Sequence, residues 1–170
     1  MIDRAELERL YDTHASAIFA FLLNFTRSEA DTRDLMQDLF LKVVRHPESF
    51  TQARDERAYL LRLAHNAAID LIRRRGAREK YHTQLGGEIA HDFVVASDPD
   101  QELFRQAVAR GLADLPADQR AVVHLKLWEG MTFAEIAAAL DLSPNTAASR
   151  YRYGVDKMRD LLRPLYDEIQ

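Results

Sequence analysis

The sequence predicts an all-α protein: two small helical domains joined by a flexible linker, the C-terminal one containing a helix-turn-helix. Three observations carry this. Apolar residues recur at spacings of three and four over residues 1–76 and again from about residue 100. Between 79 and 98 that rhythm gives way to polar residues, Gly86-Gly87 and Ser97-Asp98-Pro99. No segment of any length alternates with a strand period, and there is no internal repeat. A chain of 170 residues suits one medium domain or two small ones. The expected boundaries are 1–78, 79–98 for the linker and 99–170.

Each element has its own signal. Leu7, Leu10, Tyr11, His14, Ile18, Phe21, Leu22 and Phe25 mark one face of a long amphipathic helix, or of two in tandem. Leu35, Leu39 and Val43, flanked by Met36, Phe40 and Val44, form a double-width stripe on a second helix. It stops at Pro47, which disfavours helix at the residue before it. A third helix over 56–75 turns Leu60, Leu63, Ala64, Ala67 and Leu71 inward, with Gly76 as its stop after Arg73, Arg74 and Arg75. Phe93-Val94-Val95, in the linker, suits a short strand or a docking patch. Leu103, Ala107, Val108 and Leu112 mark the next helix, and Pro116 opens another. Thr132 with Glu135 makes a capping box. Asp141-Leu142-Ser143 is a turn, and Ser143-Pro144 supplies the N-cap and first position of a last helix over 144–162.

Composition excludes several classes of function. With no cysteine there is no disulfide, thiolate-ligated metal or thiol nucleophile. The six histidines lack metal-site spacing, so neither metal nor cofactor is expected. Residues 1–10 carry five charges and do not read as a signal peptide, and no apolar run is long enough to span a bilayer. A cytoplasmic protein is expected.

The net charge of −4 at first argues against nucleic-acid binding. Its distribution argues otherwise: −3 over 1–50, +4 over 51–80, −5 over 81–118 and zero over 119–170. The basic block carries Arg57, Arg62, Arg73, Arg74, Arg75, Arg78 and Lys80 beside Tyr59 and Asn66, a combination suited to single-stranded nucleic acid or, equally, to a solvated charged face. Residues 131–162 suit duplex reading, with Asn145, Ala148, Ser149, Arg150, Arg152 and Lys157 on the outer face of the last helix. An ordinary helical hairpin would show the same pattern. Asp31, Asp34, Gln37 and Asp38 lie near a helix start, where carboxylates favour the helix dipole.

Together these pieces resemble a bacterial RNA polymerase sigma factor of the extracytoplasmic-function (ECF) type, in the sigma-70 family. The stretch Asp34-Leu35-Met36-Gln37-Asp38-Leu39-Phe40-Leu41 resembles the family's polymerase-binding helix. Residues 59–75, from Tyr59-Leu60-Leu61-Arg62 through His65-Asn66 and Asp70 to Arg73-Arg74-Arg75, resemble its promoter-melting helix. Leu115-Pro116-Ala117-Asp118-Gln119-Arg120, then Met131-Thr132-Phe133-Ala134-Glu135-Ile136-Ala137 and on to Ser149-Arg150, resemble its C-terminal helix-turn-helix domain.

The resemblance implies an initiation factor with no catalytic residues of its own. Asp34, Gln37 and Asp38, with Leu35 and Leu41, would meet core RNA polymerase. Residues 50–57 would form a base-capturing loop, and Phe50, Tyr59, Arg62, His65, Asn66, Asp70, Arg73 and Arg74 would handle the melted minus-ten strand. Asn145, Thr146, Ala148, Ser149, Arg150 and Arg152 would face the minus-thirty-five duplex, with Lys126 on a phosphate. An anti-sigma factor is an expected partner besides polymerase and promoter DNA; a small-molecule substrate and membrane insertion are not expected. The chain departs from the pattern at Tyr59, where the family often has Trp, at Ala148, where it commonly has Lys or Arg, and over 151–156, where it commonly has a basic run. The alternative is a helix-turn-helix regulator that does not bind core polymerase.

Overall fold

The computed structural model describes residues 2–79 and 99–168, with side chains described for 2–76 and 105–164. The expected linker, with Gly86-Gly87 and the Phe93–Val95 segment, lies outside the described residues. All regular structure among the described residues is helical: α1 (Arg4–Thr26), α2 (Glu29–Arg45), α3 (Pro47–Thr51), α4 (Glu56–Glu79), α5 (Pro99–Asp114), α6 (Ala117–Leu127), α7 (Phe133–Leu140) and α8 (Pro144–Glu168). They divide into two compact units, one built on α1–α4 and the other on α5, α6, the first part of α7 and α8.

The first apolar stripe is one continuous helix. Asp3 caps it by accepting the Glu6 N–H at 2.8 Å, and Arg27, at φ 52°, ends it in a left-handed turn. Ser28 then caps α2 through the Asp31 N–H. The two threonine hydroxyls of this elbow, Thr26 and Thr32, are buried and meet at 2.6 Å, so neither is left unsatisfied. α1, α2 and α4 pack on one another around Leu10, Ile18, Phe21, Leu22, Leu39, Val43, Leu60 and Leu61.

Two local expectations change. Pro47 ends α2 but also occupies the first position of the short α3, where its missing N–H has no cost. α4 passes through Gly76 to Glu79, since one glycine inside a helix costs only about 1 kcal/mol relative to alanine.

In the second unit Leu112, Leu115, Val123 and Met158 form the core, with Val108, Tyr151, Val155 and Leu162 against them. α6 and α8 pack closely at Gly154, where a Cβ would stand 2.6 Å from Val123 Cγ2. α8 extends beyond the expected 162 to Glu168, through Pro164.

Candidate nucleic-acid interface

On α4, Arg62, Asn66, Asp70, Arg73 and Arg74 are exposed. Steps of three and four residues place Arg62, Asn66, Asp70 and Arg73 in one stripe. Tyr59, half-buried, continues the stripe toward the N-terminus, with its ring at 5.9 Å and 70° to that of Phe50. Phe50 is 3% exposed, so it supports Tyr59 from beneath instead of presenting a face of its own. His65 also departs from the outward position expected of it. It is half-buried, edge-on to Phe25 at 6.2 Å, because its place on the helix faces α1.

α4 is anchored at both ends. Asp55 accepts the Ala58 N–H at 3.1 Å and caps the helix. Arg9 of α1 then grips both oxygens of Glu56, at 2.8 and 3.1 Å, and His14 lies 3.8 Å away. The Arg9 hydrogen bonds outweigh burial and hold the Glu56 carboxyl below its ordinary pKa. Toward the other end, Arg75 pairs with Asp31 and reaches the Thr26 carbonyl at 3.4 Å. Burial acts to raise the Asp31 pKa, but hydrogen bonding with Ser28 and Arg75 and the Arg75 charge prevail and lower it.

On α2 the expected contact residues divide between two clefts. Asp34, Gln37 and Leu41 are exposed along a groove of about 850 Å³ between α1 and α2, whose apolar wall includes Tyr11, Phe40 and Val44. Asp38 instead lines a polar cleft of about 400 Å³ between α2 and α4, together with Lys42, Asp70, Arg73 and Arg74. Leu35 is 7% exposed and belongs to the packing of this unit, so it offers little apolar surface to a partner.

The helix-turn-helix is set by local chemistry. Glu135 accepts from the Thr132 N–H at 2.7 Å and the Thr132 hydroxyl at 2.8 Å, while Thr132 accepts the Glu135 N–H at 3.2 Å. This is the full capping box. Asp141, at φ 55°, turns the chain, and Ser143 caps α8 by accepting the Thr146 N–H at 3.0 Å. Asn145, Thr146 and Arg152 are exposed, while Ala148, Ser149 and Arg150 are half-buried. The Arg152 guanidinium lies 5.3 Å from the centre of the exposed Tyr153 ring.

Two expected contact residues have internal partners. Lys126 donates to the Met131 carbonyl at 3.1 Å and stands 4.9 Å over the Phe133 ring, which itself meets Tyr151 edge-on. Arg150 pairs with Asp118 of α6 at 2.9 Å. No spacing rule links residues 118 and 150, so sequence reasoning did not single out Asp118. Among the described residues no cluster of three His, Cys, Asp or Glu is placed to hold a metal, and no helix is long and apolar enough to cross a membrane.

A four-helix unit with a basic-amide stripe, followed by a helix-turn-helix unit, is the plan of a DNA-binding transcription factor. Residues 10–78 match the Sigma-70 region 2 family model and residues 105–158 match Sigma-70, region 4. The chain belongs to the ECF RNA polymerase sigma factors, polymerase-binding subunits of transcription initiation. It is 33% identical over 167 residues to the ECF RNA polymerase sigma factor SigL of Mycobacterium tuberculosis, covering 96% of this chain and 92% of that one. It is 31% identical over 162 residues to the RNA polymerase sigma factor CarQ of Myxococcus xanthus, covering 95% and 92%. The structure of CnrH in complex with the cytosolic domain of CnrY matches at a TM-score of 0.70 and 28% identity, covering 95% and 90%. The sigma factor RpoE of Bartonella quintana, solved with the anti-sigma factor NepR, shares the fold at a TM-score of 0.77 and 22% identity, covering 92% and 96%.

Proposed function

We propose that this sigma factor divides its work among three helices. α2 docks on core RNA polymerase through Asp34, Gln37 and Leu41, with Asp38 on the adjoining face. α4 takes the melted minus-ten strand through Tyr59, Arg62, Asn66, Asp70, Arg73 and Arg74, and α8 reads the minus-thirty-five duplex. The protein acts in the cytoplasm and contributes no catalytic residue; polymerase performs the chemistry. The likeness to RpoE of Bartonella quintana, solved with the anti-sigma factor NepR, supports control by an anti-sigma factor.

The observation that carries this reading is the exposed α4 stripe between two anchored helix ends. A base leaving the stack needs donors and acceptors for its edge, and the Asn66 amide supplies both. Cations on either side of Asn66 draw the flanking phosphates.

Asn66→Ala is expected to weaken open-complex formation by about tenfold or more, as loss of a paired base edge does. Its binding to core polymerase stays unchanged. Asp34→Arg is expected to abolish core binding in a competition assay. If Asp34→Arg bound core as the parent protein does, the docking assignment of α2 would be wrong.

A further inference from the structure

We infer that Asp118 sets the selectivity of duplex reading by occupying the Arg150 guanidinium in place of a DNA phosphate. This rests on the proposed role of α8. Three cations of the C-terminal unit are engaged internally. Arg120 donates to the Ala113 and Leu115 carbonyls at 2.6 and 2.9 Å, Lys126 serves the Met131 carbonyl, and Arg150 is paired with Asp118. Arg152 differs from all three. Its recorded partner is the face of the Tyr153 ring, an interaction that leaves the guanidinium N–H edge available for a base or phosphate.

A carboxylate and a phosphate make the same demand on a guanidinium: a planar pair of acceptors. Asp118 and Arg150 retain 57% and 33% of their side-chain exposure, so their pair lies where solvent screens it and a phosphate can compete. While the pair stands, α8 draws less on sequence-independent phosphate attraction. Discrimination then falls to groups able to reach base edges: Asn145, Ser149 and Arg152. Asp118 is thus a positioning residue that acts through Arg150.

The test compares holoenzymes carrying the full-length protein or its Asp118→Asn variant. The probes are a promoter duplex enriched from a randomised library and a random-sequence duplex, each titrated across salt concentrations. Asp118→Asn is expected to raise affinity for the random duplex by up to about fivefold. It should steepen the logarithmic salt dependence by about one and lower the ratio of promoter to random binding. Asp118→Asn combined with Arg150→Ala should return to the parental slope. An unchanged slope and ratio, a shallower slope, or steepening that survives Arg150→Ala would each overturn the inference. Ser149→Ala with Arg152→Ala separates this from the reading beneath it: unaltered protection of the upstream duplex in that variant would overturn the role of α8 itself.

Discussion

α4 and α8 are the two long helices that carry the candidate DNA contacts, and they are fixed by different means. Both bury an apolar face. α4 is further held by charged pairs near its ends, Arg9 with Glu56 and Arg75 with Asp31, which join residues 47 and 44 positions apart. α8 is held at its middle by close apolar approach, with Gly154 against Val123, and nearer its start by the pair of Arg150 with Asp118. The candidate contact cations differ as well. On α4 the anchoring charges lie to either side of the outward stripe, and Arg62 and Arg73 make no recorded ion pair among the described residues. In the C-terminal unit Arg120, Lys126 and Arg150 serve carbonyls or a carboxylate, while Arg152 stays exposed. α8 thus commits one cation of its candidate DNA face to a carboxylate and leaves Arg152 outward.

The strongest way to break this comparison is to fill the α6–α8 contact. Gly154→Val would place branched carbon where a single Cβ already stands 2.6 Å from Val123 Cγ2 and 3.5 Å from Leu115 Cδ1. Overpacking of this kind costs about 2–3 kcal/mol. The only tryptophan, Trp128, follows α6 and reports on this unit. Its fluorescence transition in denaturant is expected to shift to a lower midpoint, while core polymerase binding through the N-terminal unit persists. An unmoved transition would mean that close apolar packing does not fix α8.

Legibility in the sequence follows the same division. The α7–turn–α8 motif was readable because its determinants are local. Thr132 and Glu135 are three apart, as are Ser143 and Thr146, and the caps form as their spacing dictates. The α4 stripe was readable from its period of three and four. What escaped was tertiary. Phe50, His65 and Leu35 carry chemistry compatible with contact, yet neighbouring helices cover them wholly or in part. Lys126 is a cation whose nearest acceptor is a carbonyl brought close by the turn after α6. The pairing of Arg150 with Asp118 depends on how α6 packs on α8, which no motif spacing encodes. α3 was missed because Pro47 signals both an end and a beginning, and only its end was read.

A smaller effect sharpens the account of the C-terminal unit. Glu135→Ala removes the carboxylate that accepts both the Thr132 N–H and hydroxyl. Losing one side of a capping box costs about 1 kcal/mol. The Trp128 transition should therefore move in the same direction as for Gly154→Val, by less than half as much. An equal or larger shift would place the α7 cap, and not the Gly154 contact, at the centre of this unit's stability.

The smallest effect belongs to the N-terminal unit and concerns pH. Glu56 and Asp31 both have folded-state pKa values lowered from their ordinary ones. A carboxylate with a depressed folded pKa contributes stability that is fully present above its unfolded value, about 4, and is lost as pH falls toward the folded value. Both pairs are partly exposed, so solvent screening limits each contribution to under about 1 kcal/mol. Acid unfolding of the parent protein is compared with that of the Arg9→Ala, Arg75→Ala double variant, followed by helical circular dichroism. The variant should be slightly less stable near neutral pH and should lose stability less steeply below about pH 4. Equal slopes would mean that the ion pairs near the two ends of α4 contribute nothing that titrates. The contrast between the two helices would then rest on where their outward cations point.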